Sequence, residues 1–178
     1  MKREAGFTLT EMVVTMGIVA ILFAIGVPSY KYVTTANRVS SEINGLLGDI
    51  QFARSEAVRE GQNVVLCQSD DNQSCTNNAA SWNKGWLVWS DLNGDGNLDP
   101  AKELLRVQKA FLATDTLQAD GASNLASISF NREGFATGVT ARLTLRDSTN
   151  KVQYTRCLDL SPVGIPTTLT NTADATCK

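Results

Sequence analysis

The strongest constraint in this chain is an apolar run near its start. Residues 12–27 (MVVTMGIVAILFAIGV) carry no charge, and between Phe7 and Tyr32 the charged residues are Glu11 and Lys31. At ~1.5 Å rise per residue, a helix over residues 7–27 reaches about 30 Å, the thickness of a bilayer's hydrocarbon core. The stretch therefore predicts a membrane-spanning helix. Lys2 and Arg3 precede it, which suits a cytoplasmic N-terminus and also fits an ordinary secretory signal peptide. Two features oppose the signal peptide. The polar stretch after the run (Pro28-Ser29-Tyr30-Lys31) offers no small-residue cleavage pattern, and Glu11 places a carboxylate at the edge of the run. A charge in lipid costs on the order of 3 kcal/mol, so Glu11 needs a partner.

Beyond Pro28 the pattern becomes amphipathic. Ala36, Val39, Ile43, Leu46, Ile50, Ala53 and Ala57 recur at steps of three and four, with Arg38, Glu42, Asp49, Arg54, Glu56 and Arg59 mainly between them. The helix is expected to run over residues 8–60 and to stop at Gly61. Its first half belongs in lipid and its second half against a domain. After Gly61 a strand-like period takes over. Strands are predicted at 63–67, 85–90, 103–111, 127–131, 142–146 and 152–160. Asn93-Gly94, Asp95-Gly96, Glu133-Gly134, Thr149-Asn150 and Pro162-Val163-Gly164 supply turns between or beyond them. The expected fold class is α+β: one long helix on a single meandering antiparallel sheet.

Composition narrows the function. Histidine is absent, which removes the commonest general base, the usual triads and histidine zinc sites. No nucleophile-elbow, phosphate-loop or C-x-x-C pattern occurs either. The chain is not expected to be an enzyme. A formal net charge of -2 makes it no general attractor for nucleic acid. Four cysteines, all beyond the apolar run, fit an oxidising compartment outside the cytoplasmic membrane. Three pairings are open, and the local ones are expected: Cys67 with Cys75, and Cys157 with Cys177.

Three further groups carry competing readings. Asp91, Asn93, Asp95 and Asp99 lie in D-x-N-x-D-G-x-x-D, with oxygens at alternate positions and Gly96 where a calcium loop turns. Lys102 occupies the twelfth position, where a bidentate glutamate belongs. The alternative is an Asx/Gly-rich turn. Trp82, Trp86 and Trp89 surround one strand; Trp86 and Trp89 fall on opposite faces, and core packing is expected to outweigh a binding surface. Arg142 and Arg146 share a face with Thr144, opposite Leu143 and Leu145, and are expected on a solvated sheet face rather than a DNA platform.

The leader ending in Gly6, then Phe7-Thr8-Leu9-Thr10-Glu11 and an uninterrupted apolar helix, resembles the class III signal of type IV pilins and pseudopilins. The order QFARSEAVREG at 51–61, VVLC at 64–67, W-x-x-G-W-L-V-W at 82–89, the acidic loop and ELLR at 103–106 is similar to the GspH/FimT group of minor pilins and pseudopilins. That likeness weakens after Arg106. The resemblance implies cleavage of residues 1–6 by a prepilin peptidase, between Gly6 and Phe7, with N-methylation of Phe7. Residues 7–30 would then span the inner membrane, and residues 31–178 would supply the rest of the helix and a head in the periplasm, later in a pilus on the cell surface. Glu11 falls at the fifth mature position and pairs with a neighbouring subunit's Phe7 amine. Pro28 falls at the twenty-second, where helices of this group partly melt during assembly. The implied function is a minor pilin that helps initiate assembly or forms part of the tip; the alternatives are a type II secretion pseudopilin and a DNA-binding competence pilin. Implied partners are major and minor pilins, the prepilin peptidase and the inner-membrane assembly platform. Many competence-associated members carry G-R-x-R near the C-terminus. Here Ser161-Pro162-Val163-Gly164-Ile165-Pro166-Thr167 stands in that region without arginine.

Overall fold

Helix α1 (Leu9–Glu60) runs for 52 residues, although Pro28 and four glycines (Gly17, Gly26, Gly45 and Gly48) oppose helix within it. This computed structural model describes residues 6–76, 78–120, 125–137, 141–170 and 177; most of the proposed leader, residues 1–5, lies outside them. The helix continues through Pro28. It ends at Gly61, whose φ of +67° is left-handed and whose N–H donates to the Ala57 carbonyl at 3.0 Å. Two compact units divide the chain. One ends at Asn37; the other, Arg38–Lys178, holds both sheets.

In the first unit every residue from Gly6 to Thr34 is exposed. The helix is long and apolar enough there to cross a membrane, by length and composition.

In the second unit the helix turns a stripe inward. Val39, Ile43, Leu46, Ile50, Ala53 and Ala57 are all buried, at alternating steps of four and three. Among the described residues nine strands follow, in two antiparallel sheets instead of the single sheet expected. The first contains β1 (Asn63–Gln68), β2 (Gly85–Asp91), β3 (Leu104–Lys109), β5 (Ser127–Phe130) and β6 (Ala136–Thr137), in the order β3-β2-β1-β5-β6. The second contains β4 (Thr116–Asp120), β7 (Ala141–Arg146), β8 (Arg156–Leu160) and β9 (Pro166–Thr170), in the order β4-β7-β8-β9. The chain leaves the first sheet after β3, returns at β5, and leaves again after β6.

Strand β2 is buried along its whole length, so both faces of the first sheet are covered at its centre. On one face Trp86 donates its indole N–H to Asp49 of the helix at 2.9 Å. On the other, Trp89 and Leu87 pack with Cys67, against Val65, Leu98 and Leu104. Trp82 is also buried and donates to the Leu125 carbonyl at 2.8 Å. All three tryptophans therefore belong to the interior.

Residues 152–154 form a 3₁₀ turn, so β8 begins later than the predicted 152–160. Both local disulfides are present, Cys67–Cys75 and Cys157–Cys177. The second closes a loop across 20 residues of sequence separation, worth about 3 kcal/mol in the chain-entropy picture. Within the first loop the Asp71 carboxylate accepts from Ser74 Oγ at 2.7 Å and from the N–H groups of Gln73 and Ser74 at 2.8 Å each. These bonds, the Ser74 hydroxyl first, hold its carboxyl well below the usual range.

Candidate functional site

The N-terminal segment is the first candidate. Thr8 precedes the helix, and its N–H donates to Glu11 Oε2 at 2.9 Å while Glu11 N–H donates to Thr8 Oγ1 at 3.3 Å. This is a reciprocal capping box, which satisfies two helix-end donors at once. The sequence carries this signal as T-x-x-E at residues 8–11, beside the charge that marks Glu11 for an outside partner. Phe7, Leu9 and the apolar side chains that follow are exposed, with Phe7 at 84%. A continuous apolar surface of this kind requires lipid or other helices to cover it.

The acidic loop is the second candidate. Asp91 accepts the Gly96 N–H on both carboxylate oxygens, at 3.3 and 3.4 Å. Asn93 Oδ1 accepts the Asp95 N–H at 3.0 Å, and Asp95 takes the Asn97 N–H at 2.7 Å and the Asn93 amide at 2.9 Å. Asp99 accepts the Ala101 N–H at 3.1 Å and lies 3.2 Å from the Lys102 ammonium. Glu103 turns back to accept the Asp99 N–H at 2.8 Å. Every side-chain oxygen in the calcium pattern thus already accepts a bond from the loop itself. Among the described residues no three Asp, Glu or Cys side chains converge as a metal set. The geometry is that of an Asx/Gly turn. Chelation is accordingly expected to leave the melting temperature of the full-length protein unchanged. A calcium-dependent rise that Asp95→Ala abolishes would select the metal reading instead.

The third candidate is the arginine face of β7. It is not the open solvated face expected from sequence. Arg142 forms a two-pronged pair with Asp159 of β8, both bonds at 2.6 Å, and Thr144 between the arginines is buried. Arg142 is therefore held by a protein carboxylate. The segment without G-R-x-R forms the tight β8–β9 turn, closed by the Gly164 N–H to the Ser161 carbonyl at 2.9 Å. Gly164 has φ +76°, and a Cβ there would collide with the Gly134 carbonyl oxygen. That same carbonyl accepts from Arg54 Nε of the helix at 2.9 Å. This turn is built as packing.

Comparison with known proteins adds the family. The family described as Type II transport protein GspH matches residues 42–164, and the Prokaryotic N-terminal methylation motif matches residues 1–27. Two fimbrial proteins of Pseudomonas aeruginosa are each 28% identical over 96 residues, 54% of this chain. The chain spans 57% of the length of these curated relatives. Two crystal structures of the Pseudomonas aeruginosa type IV minor pilin FimU share the fold. One aligns at a TM-score of 0.61 and 21% identity, over 80% of this chain and 96% of the other; the second gives 0.58 and 20%, over 78% and 99%. The expected architecture of a long helix with antiparallel strands is thus the pilin fold, corrected from one sheet to two. Family and fold are structural rather than enzymatic. With an N-terminal methylation motif ahead of it and the GspH match covering most of its length, the chain belongs to the GspH family.

Proposed function

We propose that this protein is a minor pilin of a type IV pilus, helping to initiate assembly or forming part of the tip. The observation that carries the reading is the joining, in one chain, of a methylation motif over residues 1–27 to a head that shares its fold with a minor pilin. In this reading a prepilin peptidase cuts between Gly6 and Phe7 and methylates the Phe7 amine. Residues 7–30 hold the protein in the inner membrane, with the head in the periplasm, until extraction into the fibre. Pro28, which offers no N–H to the helix ladder, marks where the helix partly melts as subunits pack. Glu11 neutralises the Phe7 amine of a neighbouring subunit. The partners are other pilins, the peptidase and the assembly platform of the inner membrane.

Two measurements test this. Intact-mass analysis of protein recovered from membranes should show loss of residues 1–6 and one added methyl group on Phe7. The protein should also appear in sheared surface filaments. A retained Met1, or a cut after the apolar run, overturns the pilin reading. A second reading, a type II secretion pseudopilin, is favoured by the description of the matching family. Processed protein that stays with a secretion complex and never enters surface pili would select it.

A further inference from the structure

Arg38 is the first residue of the globular unit, and Glu42 follows one helical turn later on the same face. The β3–β4 connection brings Asp115 against them. Its carboxylate is fully buried and accepts two bonds from the Arg38 guanidinium, from Nε to Oδ2 and from Nη2 to Oδ1, each at 2.8 Å. That pair neutralises itself. Glu42 lies beside that pair: its Oε2 is buried and receives no hydrogen bond, and Asp115 acts on its carboxyl both as a like charge and as a hydrogen-bond partner of the protonated form. Two carboxyl groups in contact form a hydrogen bond only when one of them holds a proton.

The surroundings add negative charge. Asp147, buried in the β7–β8 connection, also acts on Arg38, while its own oxygens accept from the N–H groups of Thr149 and Lys151 and from the Thr149 hydroxyl. On β7, Arg146 lies opposite Thr116 in the β4–β7 pairing and has interactions of its own. Burial first, and then Asp115, push the Glu42 carboxyl up to about 7, with Arg38 opposing.

We propose that Glu42, Asp115 and Arg38 form a proton-operated latch that fastens the first turn of the helix within the globular unit to the β3–β4 connection. With its proton, Glu42 donates to Asp115 and the latch is closed. Without it, an unpaired carboxylate sits beside a buried one and the turn loosens. In the unfolded chain Glu42 releases its proton near 4.5; in the folded chain it keeps it to about 7. Between those values the folded state binds more protons, so the stabilisation is complete at low pH, declines as pH rises, and is lost above about 7. The latch does not depend on which filament the protein enters.

The test uses the full-length protein in detergent micelles, followed by amide hydrogen exchange from pH 5 to pH 8 and corrected for intrinsic rates. Protection of amides in residues 38–46 and in the β3–β4 connection should fall on the order of tenfold or more over that range. Glu42→Gln retains a donor towards Asp115 but cannot titrate, so its protection should be flat with pH. A pH-independent wild type, or the same slope in Glu42→Gln, overturns the latch. Carbon-detected NMR titration of the Glu42 carboxyl decides the matter if the variant fails to fold. A midpoint near 7 supports the latch, and one near 4.5 refutes it.

Discussion

Trp86→Ala is expected to destabilise the head by about 3–5 kcal/mol, measured by denaturant unfolding of the full-length protein in micelles. The indole is 1% exposed, and it meets Phe111 edge to face with ring centres 6.0 Å apart. Its N–H also holds one oxygen of Asp49, whose other oxygen accepts from Arg106 at 3.0 Å. Arg106 in turn stacks over Phe52, with its guanidinium carbon 3.5 Å from the ring centre. Removing Trp86 therefore opens a cavity and strips Asp49 of a donor, while Arg106 and Phe52 keep the helix near β3. Trp86→Phe separates the two effects. It retains most of the packing and should cost about 1–2 kcal/mol, the share of the lost hydrogen bond. A loss under about 1 kcal/mol for the alanine variant would mean that Trp86 is not a core anchor. Total stabilities near 5–15 kcal/mol make the predicted loss large enough to lower the amount of folded protein.

The environment of Trp86 also shows where the sequence is legible. The helix stripe from Val39 to Ala57 could be read because its period is local: six side chains at steps of three and four name one face without reference to anything else. Strands β1 and β2 were readable as dense apolar runs bounded by turns. β4, β6 and β9 were not. β4 (TLQAD) has little apolar content, β6 has two residues, and β9 (PTTLT) opens with a proline after a turn. A proline is compatible with the first residue of an edge strand, which is where Pro166 lies. With those strands unseen, the second sheet disappeared into the first.

Charged clusters were harder still. Arg38 and Asp115 meet across 77 residues of sequence, and no periodicity announces that an aspartate in a loop will be buried against a helix. The acidic loop is the opposite case. Its spacing is legible, but spacing does not say whether the oxygens point at an ion or at their own backbone, and here they accept from the loop.

Glu11→Ala is expected to leave membrane insertion intact or improved and to lower incorporation into filaments sharply, if Glu11 pairs with a neighbour's Phe7 amine. Removing a charge from the apolar segment removes a cost of about 3 kcal/mol, which explains the first half. The second half follows because an amine in lipid loses its counter-charge when helices bundle, and opposite charges attract far more strongly there than in water. The capping box complicates this variant, since alanine also deprives the Thr8 N–H of its acceptor at 2.9 Å and loosens the helix end. Glu11→Gln resolves the ambiguity. Glutamine can occupy the same place in a capping box, so it should hold the first turn, but it brings no negative charge. If charge pairing drives assembly, Glu11→Gln should be as deficient as Glu11→Ala when filament and membrane fractions are compared. If the need is a well-formed first turn, Glu11→Gln should assemble like wild type while Glu11→Ala does not. Equal incorporation of all three would remove Glu11 from assembly. A tip position softens the charge effect in one direction only: with no subunit above it, this Glu11 has no incoming amine to meet, whereas its own Phe7 amine still needs the glutamate of the subunit it rests on.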